Sequence, residues 1–188
     1  MTAVLLYYDT VNDGASEISI KSSLLLPEKA IKARLAALAR LLHIYLDDHA
    51  ILSPVRHGGM HIWNMIAPMI GHKVEVIPVK VASYNNMTRP TVPILEITDD
   101  YPACDRRIIL MDDIVDTGGT QISLTEQLLE RKAHEVIMVC LLDKPARRKY
   151  DVRPNHRGFV IPDLYVFGCG MDWQGQYREL PEIRYVIH

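Results

Sequence analysis

Two adjacent carboxylates and a short glycine-threonine segment stand close together near the middle of the chain. Asp112 and Asp113 follow the apolar run 108–111, and the sequence Thr-Gly-Gly-Thr follows at residues 117–120. Small residues that open a helix let backbone N–H groups and the positive end of the helix dipole approach an anion. Carboxylates beside such a loop can bind hydroxyl groups or a metal ion. The pattern therefore predicts a ligand that carries hydroxyl groups as well as a phosphate, such as a phosphorylated sugar.

This interpretation depends on finding the Asp-Asp pair and the Thr-Gly-Gly-Thr segment together and in this order, because each of them alone has an ordinary structural explanation. A lone Asp-Asp or Gly-Gly pair is more often a solvated turn with a helix cap. The segment is not a nucleotide-binding P-loop, because no Gly-Lys-Ser/Thr follows it, and the chain contains no G-x-G-x-x-G segment.

Composition sets the general class of the protein. The chain has 188 residues, 23 acidic against 21 basic, and a formal net charge of -2, so no global charge attracts nucleic acid or an anionic membrane. Its three cysteines are widely spaced, which excludes a disulfide framework and a zinc ribbon and favours a reducing compartment. The apolar start lacks a positive flank, and no apolar run reaches the ~20 residues of a membrane span. We expect a cytoplasmic protein with no membrane partner.

Strand-like and helix-like patterns alternate through the middle of the chain. This order is typical of an α/β protein with a parallel sheet flanked by helices, whose ligands bind beyond the carboxyl ends of the strands. We expect strands at 51–55, 74–83, 107–111 and 136–142, helices at 60–70 and 120–131, and mainly loop at 84–105.

The two ends of the chain do not follow the alternation. Residues 3–8 and 17–26 predict strands, and the tail after Lys149 contains only short apolar runs that could pair with them. We predict a single domain over 1–188, with a core at about 30–148 and a small hood lobe at about 1–29 and 149–188. A helix is expected after Pro27, with its apolar face formed by Ile31, Leu35, Leu38, Leu42 and Tyr45.

Residues 111–120 resemble the phosphoribosyl diphosphate (PRPP) binding motif of the type I phosphoribosyltransferases. The segments 56–59, 83–84, 141–145, 158–163 and 171–181 look, in order and spacing, like the hypoxanthine-guanine phosphoribosyltransferase family, and the resemblance covers about 51–186. It implies the type I phosphoribosyltransferase fold and a purine-salvage enzyme. Such an enzyme transfers the phosphoribosyl group from PRPP to hypoxanthine, guanine or xanthine and forms the nucleoside 5′-monophosphate and pyrophosphate. The family also implies Mg²⁺ as cofactor and a homodimer or homotetramer.

The resemblance assigns a role to each matching residue. Asp116 is implied as the catalytic group beside N7 of the purine, and Asp112 and Asp113 as ligands of the ribose hydroxyls and of Mg²⁺. Lys144 would donate to the purine O6, and Ser83 and Tyr84 would belong to a loop that closes over the site. The remaining implied contacts are Thr117, Gly118, Gly119 and Thr120 with the 5′-phosphate, His57, Gly58 and Arg178 with pyrophosphate, Tyr165 and Val166 with the base, and Asp172 with Mg²⁺ beside the base.

The sequence departs from the family at two implied positions. His57 stands where the family often has Lys, which puts a cationic contact there in doubt, and Gly119 stands where some relatives carry Lys. The resemblance still implies backbone contacts at both positions, with pyrophosphate at His57 and with the 5′-phosphate at Gly119.

Other functions stay open at this point. The rivals are a regulatory protein that binds PRPP without turnover and a phosphoribosyltransferase for another base. The basic residues between 144 and 157, apart from Lys144, are interpreted as a solvent-exposed face of the protein. Contact of these residues with RNA is the less favoured interpretation. No nucleic-acid partner is expected.

Overall fold

The computed structural model describes residues 7–11, 18–55, 57–71, 73–81 and 95–187. Ser83 and Tyr84, which the resemblance assigns to a closing loop, lie outside the described residues. Within the described residues, no helix is long and apolar enough to cross a membrane. In chain order the elements are β1 (Tyr7–Val11), β2 (Ile18–Leu26), α1 (Glu28–Leu42), β3 (Ala50–Pro54), α2 (Gly58–Ile66), β4 (Glu75–Val76), β5 (Lys80–Val81), β6 (Leu95–Glu96), β7 (Arg107–Val115), α3 (Gly119–Glu130), β8 (Glu135–Asp143), β9 (His156–Val160), β10 (Val166–Phe167) and β11 (Ile183–Val186).

The contacts divide the chain into two compact units. One unit comprises residues 1–32 and 164–188, and the other comprises residues 33–163, so the division falls within α1. The predicted core and hood have similar but not identical bounds, and the single-domain assignment stays a prediction.

The larger unit is built on a five-stranded sheet with the order β4-β3-β7-β8-β9. Every neighbouring pair in this sheet is parallel. The predicted α/β class with a parallel sheet is therefore confirmed. The apolar runs that predicted the central strands are buried in it, because both faces of such a sheet are covered.

The α3 helix packs its apolar stripe against this sheet. Leu124 and Leu128 are fully buried in one cluster with Ile108 and Leu110 of β7. This packing places the first turn of α3 directly after the end of β7, where the Gly-Gly segment connects them. The predicted helix at 120–131 is confirmed within one residue at each end.

Two strand predictions differ from the structure. β7 continues to Val115, so Asp112 and Asp113 lie within the strand and not after it, because β8 pairs with β7 as far as Asp143. The single strand expected at 74–83 is two short strands in different sheets, since β4 pairs with β3 whereas β5 pairs with β6.

The smaller unit contains an antiparallel sheet with the order β1-β2-β11-β10. Strands from both chain ends therefore pair, as the sequence predicts. Ile20, Phe167 and Tyr177 form the buried cluster of this unit. The tail departs from the prediction at β9, which extends the parallel sheet beside β8 instead of joining the end strands.

Helix α1 begins directly after Pro27 and ends at Leu42. Four residues of the predicted apolar face are buried, whereas Tyr45 lies beyond the helix and its hydroxyl contacts His156 Nε2 at 2.8 Å. The buried residues are Ile31, Leu35, Leu38 and Leu42.

Candidate active site

A pocket of about 270 Å³ lies at the carboxyl end of β7 and the start of α3. Parallel α/β sheets bind ligands at this edge, because the loops and helix N-termini after the strands meet there. Its lining residues are Val55, Asp112, Asp113, Ile114, Asp116, Thr117, Gly118, Thr120 and Gln121. Six residues that the sequence assigns to the sugar phosphate or to catalysis are thus brought together.

Asp112 is a buried carboxylate with both oxygens hydrogen-bonded. Its Oδ1 accepts the backbone N–H of Asp113 at 2.9 Å, and its Oδ2 accepts the side-chain amide of Gln121 at 2.7 Å. Burial, and next the negative charge of Asp113, raise the pKa of Asp112 well above its ordinary value. The folded protein therefore disfavours the charged form of Asp112, and ionising this side chain costs stability, as is common at functional sites.

We expect Asp112→Asn to raise the Tm of the ligand-free protein at neutral and alkaline pH. The raised pKa means that the folded state favours the protonated Asp112 side chain, and this preference stabilises the fold. The stabilisation is complete below the pKa that Asp112 has in the unfolded chain. It is lost as pH rises through the pKa that Asp112 has in the folded protein. Asparagine does not titrate and escapes this loss. Thermal unfolding at about pH 4 and about pH 8 should show a gap between variant and wild type that widens with pH.

Asp99→Asn is the matched control for this prediction, since the Asp99 side chain is fully exposed. It should leave Tm nearly unchanged at both pH values. A Tm gap for Asp112→Asn that is equal at both pH values would contradict the burial explanation.

Two glycines let α2 begin against the end of β7. A Cβ on Gly58 would overlap the carboxylate of Asp113, and a Cβ on Gly59 would overlap the carbonyl of Met111. Asp113 Oδ1 also accepts the N–H of Ile114 at 2.8 Å. His57 caps α2 with its backbone and leaves its side chain exposed. The start of α2 therefore lies beside the carboxylate pair, where the resemblance expects pyrophosphate.

The turn between β7 and α3 has the geometry of an anion cradle. Gly118, with φ of 90°, is the N-cap of α3 and brings no side chain to the helix end. The carbonyl of Thr117 accepts the backbone N–H of Lys149 at 2.9 Å, which anchors the turn to the following loop. Gly118 and Thr120 line the pocket at the start of α3, whereas Gly119 does not, and its N–H donates to Thr117 Oγ1 at 3.5 Å. A helix N-terminus at a pocket favours the binding of phosphate.

Asp116 stands at the rim of the pocket between two cations. Lys144 Nζ lies 3.9 Å from Asp116 Oδ2, and Arg147 Nε lies 3.2 Å from Asp116 Oδ1. The Lys144 side chain is only 7 % exposed, whereas that of Asp116 is 39 % exposed. A buried ammonium and a more open carboxylate therefore lie side by side.

Arg148 joins the Asp116 segment to a buried carboxylate. It donates to the Asp116 carbonyl at 2.6 Å through Nη1 and to Asp143 through Nη2. Asp143 is also paired with Arg157 at 2.8 Å, and its side chain is 2 % exposed. The prediction of a solvated basic face is wrong for Arg148, because the structure places its partner Asp143 at the buried end of β8.

Four implied site residues lie in the smaller unit. Arg178 pairs with Asp172 at 2.5 Å and donates to the Gly170 carbonyl at 2.7 Å. Tyr165 is 53 % exposed, so its ring is not part of the core, whereas Val166 is buried in β10. An exposed ring beside a buried strand residue suits stacking on a flat ligand.

Sequence reasoning missed Gln121 and Arg148 as parts of the site. A signal for Gln121 existed, because it shares its helical spacing with Leu124 and Leu128, and a polar residue on an apolar stripe needs a buried partner. No local signal identified Arg148, whose partners come from two different strand ends.

Comparison with known proteins gives a consistent result. The model of the phosphoribosyl transferase domain family matches residues 28–176. The chain is 34% identical over 161 residues to a hypoxanthine-guanine phosphoribosyltransferase of Bacillus subtilis, which spans 85% of this chain and 89% of that protein. It is 32% identical over 169 residues to a hypoxanthine phosphoribosyltransferase of Escherichia coli, covering 87% and 94% of the two chains.

A comparison of structures identifies the same family as the sequence comparison. The crystal structure of a hypoxanthine phosphoribosyltransferase from Staphylococcus aureus superimposes with a TM-score of 0.79 at 30% identity, over 88% of this chain and 91% of that one. The resemblance first seen in residues 111–120 is thereby confirmed over most of the chain.

Proposed function

The chain belongs to the phosphoribosyltransferase family, and from that premise we propose that it is a purine-salvage enzyme. It transfers the 5-phosphoribosyl group from PRPP to a 6-oxopurine, namely hypoxanthine, guanine or xanthine. The products are the nucleoside 5′-monophosphate and pyrophosphate. The names of the bacterial relatives support hypoxanthine and guanine as substrates.

The pairing of Lys144 with Asp116 is the observation that carries the proposal. A 6-oxopurine presents an acceptor at O6 next to N7, on one edge of its ring. Lys144 supplies only donors and Asp116 only acceptors when ionised, and their charged atoms lie 3.9 Å apart. This pair therefore complements a carbonyl oxygen beside a protonated N7, and adenine lacks that carbonyl.

The reaction joins N9 of the base to C1′ of the sugar while the bond from C1′ to pyrophosphate breaks. Positive charge develops on the ribose and negative charge on the leaving group, so orientation and electrostatics lower the barrier. The proton on N7 passes to Asp116 as N9 attacks. Asp112 and Asp113 orient the ribose through its hydroxyls, and the first turn of α3 holds the 5′-phosphate.

The carboxylate pair also fits a divalent cation. Mg²⁺ prefers oxygen ligands and is commonly bound by one or two carboxylates together with substrate phosphates. Burial and like charge raise the pKa of Asp112, which a cation would compensate. We therefore assign Mg²⁺ to Asp112 and Asp113, where it would neutralise charge on the pyrophosphate. The contact of Asp172 with Mg²⁺ stays a prediction from the resemblance.

A pyrophosphate-release assay tests the function directly. The protein is mixed with PRPP, Mg²⁺ and one free base at a time from hypoxanthine, guanine, xanthine, adenine and uracil. Release with oxopurines alone is the expected result. PRPP binding without release with any base would favour a regulatory protein, and release with uracil or adenine would favour a transferase for another base.

We expect Asp116→Asn to lower kcat far more than it changes PRPP affinity. Proton transfer by a positioned group contributes about 10²–10⁴-fold to rate, and the asparagine amide does not take the proton from N7. Steady-state kinetics and calorimetry with PRPP measure the two effects separately.

Asp163→Asn is the matched control, because Asp163 also contacts Arg147, at 3.6 Å, but does not line the pocket. It should keep nearly full turnover. An Asp116→Asn variant that loses PRPP affinity without a separate loss of turnover would assign Asp116 to sugar binding instead of catalysis.

The remaining expectations stay predictions. They are the cytoplasmic location, the homodimer or homotetramer, the loop containing Ser83 and Tyr84, and the contacts of His57 and Arg178 with pyrophosphate. The nucleotide and pyrophosphate are proposed as ligands because they are the products of the proposed reaction.

A further inference from the structure

We propose that Gln121 is a positioning residue of the phosphoribosyl site, which holds the Asp112 carboxylate in the orientation that accepts the ribose hydroxyls. The inference rests on the function proposed above and adds a residue to which the binding motif assigns no role. Gln121 lies in the first turn of α3 and lines the same pocket as Asp112.

The contact between the two side chains is direct and buried. Gln121 Nε2 donates to Asp112 Oδ2 at 2.7 Å, and the two residues are only 3 % and 7 % exposed. The other carboxylate oxygen accepts the backbone N–H of Asp113 at 2.9 Å. Because the last side-chain torsion of an aspartate is broad, these two donors together define the plane of the carboxylate.

The same contact joins the two halves of the sugar-phosphate site. Asp112 belongs to β7 and would bind the ribose, whereas Gln121 belongs to the helix turn that would bind the 5′-phosphate. Each carboxylate oxygen has a second lone pair, which leaves acceptor capacity for the ligand. Gln121 therefore fixes the position of the Asp112 carboxylate relative to the first turn of α3 before the ligand binds. Less conformational entropy is then lost on binding.

A purely structural role is the alternative explanation. In that case the amide only satisfies a buried carboxylate, and its loss would weaken the fold and affect all ligands alike. The positioning role predicts a loss confined to ligands with ribose hydroxyls. A comparison of nucleotides with and without these hydroxyls separates the two.

The experiment measures binding of inosine 5′-monophosphate and its 2′,3′-dideoxy analogue to wild type and to Gln121→Leu. Leucine keeps a similar volume and removes the donor. We expect the variant to bind inosine monophosphate about ten- to hundredfold more weakly, the range for a hydrogen bond to a charged group. Its affinity for the dideoxy analogue should change by less than about twofold.

Gln127→Leu is the matched control on the same helix. Gln127 donates to Ser123 Oγ at 3.2 Å and does not line the pocket, so both affinities should be retained. In steady-state kinetics Gln121→Leu should raise the KM for PRPP and leave the KM for the base unchanged. Gln121→Glu, which keeps the size but replaces the donor by a negative acceptor, should bind inosine monophosphate no better than Gln121→Leu.

Two results would overturn this inference and leave the proposed function unaffected. These are equal losses for both nucleotides in Gln121→Leu, and wild-type binding in Gln121→Glu. Equal affinity of the wild type for both nucleotides would overturn the ribose assignment of Asp112 and the inference with it. The pyrophosphate-release assay tests the proposed function separately, because it depends on turnover by the unmodified protein.

Discussion

Hypoxanthine or guanine should be used at least ~10³-fold better than adenine, measured as kcat/KM. Adenine presents an amino donor at C6, so the Lys144 ammonium would meet it donor to donor. A buried charge left unpaired is costly, and sites built on such a contact discriminate strongly. The structure strengthens the prediction, since Lys144 is 6 % exposed and the carboxylate of Asp143 is paired with Arg148 and Arg157 instead.

Lys144→Met tests the source of this selectivity. It should lower the rate with oxopurines and narrow the gap to adenine at the same time. Lys149→Met is the matched control, because Lys149 is exposed, and it should keep both rates. Comparable kcat/KM for adenine and hypoxanthine in the unmodified protein would contradict the role of Lys144 and the substrate class built on it.

The double variant Asp112→Asn/Asp113→Asn should lose a few powers of ten in kcat/KM at limiting PRPP. Hydrogen bonds to charged groups are worth about 1.5–3 kcal/mol each, and both carboxylates would contact the ribose and the cation. The fold should be retained, because the substitutions remove like-charge repulsion from a buried site. Low activity together with an unreduced Tm would therefore separate the functional loss from unfolding.

Asp99→Asn/Asp100→Asn is the control for this double variant, since it makes the same change in charge at two adjacent, exposed positions. It should keep wild-type kinetics. Near-wild-type kcat/KM in the Asp112/Asp113 variant would show that the sugar site lies elsewhere.

Local patterns were sufficient for the elements that hold the sugar-phosphate site. The apolar run before Asp112 predicted the start of β7, and the spacing of Leu124 and Leu128 predicted α3. The small residues between them predicted the turn at Gly118. These features depend on neighbours a few residues apart, so they are readable without the fold.

The sequence by itself therefore determined the parallel α/β class, the phosphate turn and the family. Only the tertiary structure decided how far β7 extends, that β9 joins the parallel sheet, and that Asp143 pairs with Arg148 and not with Lys144. It alone placed Gly58 against Asp113 and Gln121 against Asp112. The side-chain contacts depend on how the helices and loops pack against the sheet, and the two strand features depend on the order in which strands become neighbours in it. That order is set by the packing of the whole core, which no local periodicity records.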